Sequence, residues 1–298
     1  MRLLECVPNI SEGRDQKKIA PISEELKKVK GVKLLDVSSD KDHNRSVFTF
    51  IGEPGAVKNA ALSMALKAIE LVDMRNHHGA HPRLGTVDVV PFIPIQGVEM
   101  GEAVQVAREF GRELGKRGVP IFFYEEATTS PERKDLPSIR KGEYERLKEK
   151  LNDPRWKPDE GPNSFNPKFG ATVVGARFPL VAYNVNLETK DITVAKEIAK
   201  KVRFKDGGFP HVRGMAVDLK EKGMVQVSMN LTNYRVTNIP KVFEFIRDEA
   251  LKRGVKIGGS EIIGLIPLGA FEGIAQSYLR CPEFSVRQII EHRILEFE

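Results

Sequence analysis

Residues 77 to 88 read His77-His78-Gly79-Ala80-His81-Pro82-Arg83-Leu84-Gly85-Thr86-Val87-Asp88, so three of the chain's six histidines fall within five positions. An imidazole titrates near neutral pH and can accept and donate a proton within one catalytic cycle. A nearby carboxylate such as Asp88 can fix its tautomer, and an arginine such as Arg83 can hold a substrate carboxylate through two parallel hydrogen bonds. Gly79 and Pro82 disfavour a helix here, because glycine is entropically costly in one and proline lacks an N–H. The stretch therefore reads as a loop leading into a strand over 87–90, a common place to display reactive side chains. His81 is the candidate acid–base group.

The rival chemistry for the same residues is a metal site built from His77, His78 and His81. The glycine inside the stretch and the proline after it break the helical face that His77 and His81 would share. No HExxH pattern or paired-cysteine set completes a zinc site elsewhere, so no metal is expected.

Two further segments carry polar chemistry. Asp36-Val37-Ser38-Ser39-Asp40-Lys41-Asp42-His43-Asn44-Arg45 joins two strand-like runs. It has the composition of a solvated turn, but it is longer than the two to five residues that usually connect a hairpin. Its extra polar atoms could line a site beside the histidine loop, and Asp40 is the carboxylate placed closest to the chemistry. The second segment is Gly161-Pro162-Asn163-Ser164-Phe165-Asn166-Pro167-Lys168-Phe169-Gly170. Phe165 and Phe169 offer flat apolar faces and Asn163, Ser164 and Lys168 offer hydrogen bonds, which suits a planar heteroaromatic ligand with an anionic tail.

The elements that must position these residues repeat. Strand-like residues 3–8, a helix over 16–29, strands over 32–37 and 46–51, a helix over 56–72 and a strand over 87–95 give the order β-α-β-β-α-β. The second half gives a strand over 180–187, a helix over 192–202, a hairpin of 214–219 and 225–231, a helix over 239–253 and a strand over 255–266. That is the same split βαβ order, with Thr237 or Asn238 as N-cap and Pro240 near the start of the last helix. The expected fold is α+β: two ferredoxin-like subdomains, 1–177 and 178–298, duplicated, with helices on one face of each antiparallel sheet. Between the repeats lie an extra helix over 100–117, a strand over 119–123, and a charged, Pro- and Gly-rich stretch over 125–162. A long connection of this kind is often functional.

The 298 residues suffice for one large or two medium cores. The charge of +6 comes from 47 Lys+Arg against 41 Asp+Glu. The cations are mixed with acids and apolar positions along helices, as on solvated helix faces, so no nucleic-acid partner is expected. Two cysteines, Cys6 and Cys281, make no disulfide framework. No signal pattern opens the chain and no apolar run approaches a membrane span, which together favour a reduced, cytoplasmic setting without membrane partners.

Several motifs stand in the order of a known family. They are Glu5-Cys6-Val7-Pro8-Asn9-Ile10-Ser11-Glu12-Gly13-Arg14, the loop ending Asn44-Arg45, Gly79-Ala80-His81-Pro82-Arg83, Val89-Val90-Pro91-Phe92-Ile93-Pro94, the segment from Gly161 to Gly170, and Gly170-Ala171-Thr172-Val173-Val174-Gly175-Ala176-Arg177. Over nearly its whole length the chain resembles glutamate formiminotransferase, the transferase part of formiminotransferase–cyclodeaminase. The resemblance implies two ferredoxin-like subdomains with a ligand groove between them. It further implies transfer of a formimino group from N-formimino-L-glutamate to N5 of tetrahydrofolate, releasing glutamate, in histidine degradation and one-carbon metabolism. His81 matches the family's catalytic histidine, and the segment from Gly161 to Gly170 its folate-binding segment. Arg45 and Arg83 would then meet substrate carboxylates.

Animal members carry a carboxylate two residues after the position of Asp36, where this chain has Ser38, and Asp40 is the expected substitute. Ile10 replaces the family's Phe. No cyclodeaminase domain follows Glu298, so a separate cyclodeaminase would take the next step, and a homodimer is implied. Two other functions fit the same residues: 5-formyltetrahydrofolate–glutamate formyl transfer, and folate or pterin binding without turnover.

Overall fold

The structure is a computed structural model that describes residues 2–294. Its described part divides after Arg177 into two compact units, each an α+β arrangement with its own sheet.

In the first unit, β1 (Leu3–Cys6) and β2 (Asn9–Ile10) are followed by α1 (Gln16–Lys27), β3 (Val32–Asp40), β4 (Arg45–Gly52) and α2 (Pro54–Leu71). Next come β5 (Val87–Gln96), α3 (Met100–Gly115), β6 (Ile121–Glu125), two short helices α4 (Leu136–Arg140) and α5 (Leu147–Leu151), and β7 (Thr172–Ala176). The expected first strand is therefore two pieces, both paired antiparallel with β4 and β5. Pro8 sits at the break between them, consistent with its missing backbone donor. Beyond β5 the sheet continues in parallel through β7 and then β6. β7 carries no strand pattern in the sequence. It is buried at every position, and a continuous apolar run lacks the alternation that announces a half-exposed strand.

The expected long polar loop between β3 and β4 is mostly strand. Ladder pairing continues through Ser38–Val47, Ser39–Ser46 and Asp40–Arg45, so the turn itself is residues 41–44. Among the described residues β3 is an edge strand paired with β4 alone, and its polar end suits such an edge because charge there discourages strand addition.

Each face of this sheet has its own apolar packing. Ile19, Ile22 and Leu26 of α1, Val57, Met64 and Ala68 of α2, and Val106, Phe110 and Leu114 of α3 pack in one core with Leu4, Phe48, Phe50 and Phe92. A second cluster joins Phe122, Tyr124 and Val173 of the parallel strands to Ile139, Leu147 and Leu151. The charged stretch over 125–162 is thus a folded cover, whose few apolar residues bind it to the sheet.

In the second unit β8 (Val181–Leu187), α6 (Ile192–Val202), β9 (Val212–Leu219), β10 (Met224–Leu231), α7 (Ile239–Leu251) and β11 (Ile257–Ile263) precede α8 (Glu272–Tyr278). The antiparallel sheet runs β11-β8-β10-β9. Asn238 caps α7 by accepting from the Lys241 N–H at 3.1 Å, with Pro240 in its first turn. Val185, Val227, Ile198 and Ile246 lie in a core separate from those of the first unit. Cys6 is fully buried in β1 and Cys281 is exposed. Among the described residues no helix is long and apolar enough to cross a membrane.

Candidate active site

Three chain segments meet around His81. The turn after β3, the histidine loop before β5 and the loop after β2 are clasped by Asn44, whose φ of 47° places it in the left-handed region. Its Oδ1 accepts from Gly13 N at 2.9 Å and its Nδ2 donates to His78 O at 3.0 Å. Its carbonyl oxygen lies 2.8 Å from His77 Nε2, and Ala80 N donates to Asp42 O at 3.1 Å. The approach is so close that a Cβ on Gly79 would lie 2.2 Å from His43 O. Glycine is required there for room.

His81 projects from this junction, half-buried. Its Nε2 lies 2.8 Å from Arg45 Nη1. A guanidinium is only a donor, so Nε2 must be the acceptor, and the imidazole is neutral with its proton on Nδ1. Burial, followed by the positive charges of Arg45 and Arg140, holds the His81 pKa down to about 3. Nδ1 is buried beside the Pro82 backbone. Arg45 also donates from Nη1 to Asn9 Oδ1 at 2.9 Å, which fixes its head beside the histidine.

Asp40 faces His43 rather than His81. Its Oδ2 is 2.9 Å from His43 Nδ1, and its Oδ1 accepts the His43 and Asp42 backbone N–H groups. These hydrogen bonds outweigh burial and lower its pKa. The His43 ring in turn meets His81 edge to face, with 6.0 Å between centroids. Asp40 thus bonds His43, the ring beside His81, and also acts on Arg45 through its charge.

The carboxylate expected to fix the His81 tautomer, Asp88, is engaged elsewhere. It accepts the Leu84 N–H at 2.9 Å and pairs with Arg140, with 2% of its side chain exposed. Arg83 is 7% exposed and occupied: Glu145 and Glu143 take its Nη groups and His77 Nδ1 accepts from Nε at 3.2 Å. A substrate carboxylate would have to displace those acids. A cavity of about 480 Å³ opens beside this cluster, lined by His78, Gly79, Arg83, Glu143, Glu145 and Arg146. His77 is spent on Asn44 and Arg83 and His78 is exposed, so the three histidines do not converge. Among the described residues no group of three His, Cys, Asp or Glu could hold a metal ion.

The segment from Gly161 to Gly170 is tied to the histidine loop at its far end. Thr86 N donates to Phe169 O and Ala171 N to Leu84 O. Gly170, at φ 67°, bridges to Gly85. Phe165 lies 5.5 Å from the Tyr144 ring, whose hydroxyl donates to Pro167 O at 2.6 Å. Lys168 Nζ reaches Glu70 O at 3.2 Å. Asn163 and Ser164 are exposed, Pro162 and Asn166 half-exposed.

Three residues of this neighbourhood escaped the sequence reading. Asn9 and Asn44 stand inside quoted motifs, and their carboxamides could have been weighed as positioning groups. Arg140 lies in the charge-dense connector, where nothing distinguished it from its neighbours.

Comparisons with known proteins bear on this arrangement. Residues 3–177 match the family model described as "Formiminotransferase domain, N-terminal subdomain", and residues 182–295 match "Formiminotransferase domain". A glutamate formimidoyltransferase of Streptococcus pyogenes serotype M1 is 42% identical over 296 residues, covering 99% of both chains. One from Thermoplasma acidophilum is 44% identical, covering 99% of this chain and 98% of the other. The formimidoyltransferase-cyclodeaminase of Rattus norvegicus is 44% identical over 98% of this chain, which spans 55% of that longer protein.

Proposed function

The chain belongs to the formiminotransferase family, and from that premise we propose that it moves the formimino group of N-formiminoglutamate to N5 of tetrahydrofolate, with His81 carrying the proton. N5 attacks the amidine carbon and a tetrahedral intermediate forms. The N5 proton passes to His81 Nε2 and from there to the amino-acid nitrogen, whose bond to carbon breaks as glutamate leaves. Glutamate's nitrogen is a poor leaving group until protonated, so a positioned proton carrier acts on the difficult step. The single observation that supports this role is the neutral His81 imidazole, half-buried, with its Nε2 lone pair turned to a cation rather than to a carboxylate.

In this reading Asp40 orients His43 against His81, and Arg45 binds substrate carboxylate. The segment from Gly161 to Gly170 carries the folate, with Phe165 and Tyr144 as the aromatic wall. We read the units before and after Arg177 as the N- and C-terminal subdomains, each ferredoxin-like. The support is that in both the fourth, first, third and second strands of the βαββαβ unit neighbour one another in that order. A cytoplasmic homodimer completes the proposal.

The test mixes purified protein, N-formiminoglutamate and tetrahydrofolate and follows 5-formiminotetrahydrofolate. His81→Ala should lose activity by about 10²–10⁴-fold while binding tetrahydrofolate as the native protein does. Equal turnover in both proteins would remove His81 from the chemistry. Formyl transfer is the competing reading, and a parallel run with 5-formyltetrahydrofolate and glutamate separates the two.

A further inference from the structure

Two guanidinium N–H groups beside His81 have no partner among the described residues although they are buried: Arg45 Nε and Arg140 Nε. Leaving even one such donor unpaired is costly. The two guanidiniums are close enough that Arg140's charge, after burial, lowers the pKa of Arg45. Among the described residues Asp88 is the carboxylate paired with Arg140, and it is shared with the Leu84 N–H. The charged and titratable groups facing His81 are Arg45 from β4, Arg140 from α4 and His43 from the turn. Asp88 and Asp40 act on Arg45. Two cations against one paired carboxylate among the described residues, with donors left over, is the arrangement an anion completes.

We propose that Arg45 and Arg140 form a carboxylate clamp that also caps the base: in the free protein Arg45 Nη1–H occupies the lone pair of His81 Nε2, and an arriving α-carboxylate draws the guanidiniums to itself and frees that lone pair. The proposal rests on the formimino-transfer reading and deepens it. In N-formiminoglutamate the α-carboxylate and the nitrogen bearing the formimino group sit on the same carbon. A clamp in contact with His81 therefore delivers the leaving nitrogen to the atom that must protonate it. The base becomes available only when the substrate that needs it is bound. Arg140 is a binding residue in this scheme, and Arg45 both binds and positions.

The ring nitrogens of His81 are followed by ¹⁵N NMR across pH, first in the free protein and then saturated with L-glutamate. Glutamate should raise the His81 titration midpoint by at least one pH unit, because the Arg45 charge is neutralised and withdrawn. Arg140→Gln should weaken glutamate binding at least tenfold and abolish the shift, with Arg140→Lys recovering part of it. Arg45→Gln should raise the midpoint in the absence of ligand. A His81 that does not move on saturation of the native protein overturns the clamp and needs no variant to fold. So does Arg140→Gln binding glutamate as tightly as native. If tetrahydrofolate alone produces the shift and glutamate does not, the anion is the folate tail and the proposal fails. A glutamate-linked shift without any formation of 5-formiminotetrahydrofolate would overturn the functional reading alone. Turnover without the shift would overturn the clamp alone.

Discussion

At His81 burial, with the Arg45 and Arg140 charges beside it, sets the protonation state. Arg45 donates to Nε2, the ring is held neutral, and its pKa falls from 6.5 to about 3. A group whose folded pKa is depressed binds fewer protons folded than unfolded once pH drops below its unfolded value. The stability it contributes is thus present above pH 6.5 and is lost as pH falls towards 3. Urea denaturation of native protein and His81→Gln at stepped pH isolates this contribution. The native protein should lose stability relative to the variant below pH 6.5, by at most about 1.4 kcal/mol per pH unit, and parallel curves would refute it. His81 was legible from residue type and spacing alone. Its partners were not: Asp88 is near in sequence yet bonds Leu84 and Arg140, while Arg45 and Arg140 arrive from other elements. Spacing along a loop fixes which side chains are neighbours in the chain, not which cation faces which lone pair.

Among the elements, the hairpin of β3 and β4 and the histidine loop act as one piece because Asn44 ties them and Gly79 lets them touch. Gly79→Ala would place a methyl 2.2 Å from His43 O, so the two loops must part. The expected result is a loss of transfer activity of at least tenfold, since small misplacements of reacting groups carry large rate penalties. The core strands should be little affected. Kinetics alongside thermal melting checks this; unchanged kcat/KM would mean that the contact does not position His81. Element existence was largely readable here. Residues 192–202 were marked as helix and α6 spans Ile192–Val202, because its apolar positions recur at helical spacing and Asp191 caps it. The failures share a cause. β7 carries no alternation because both its faces are covered, and the polar end of β3 looked like loop because an edge strand tolerates Ser and Asp. The connector gave no pattern because it uses isolated apolar residues rather than a periodic face.

Across the described molecule, each unit packs its own apolar clusters, which implies two centres of stability. The second unit holds a buried acid: Glu249 on α7 accepts from Lys201 and Lys252 at 2.7 Å and from Arg253 at 2.9 Å. These hydrogen bonds hold its pKa at about 2. Glu249→Gln leaves three cations with a weaker common acceptor, a change worth about 1–3 kcal/mol. Native-state hydrogen exchange should then quicken in Val181–Leu187 and Met224–Leu231 while Val87–Gln96 keeps its protection, as expected of separate cooperative units. Equal acceleration in both sheets would show that the cores unfold together.

The unequal burial of the two thiols has a practical corollary. Cys6 is sealed in β1, where burial pushes its pKa well up, and a thiol reacts as its thiolate. Cys281, outside the core, stands open. A maleimide fluorophore applied to the native chain would therefore attach at one defined point, on the unit that does not carry His81, with no cysteine engineered in or out.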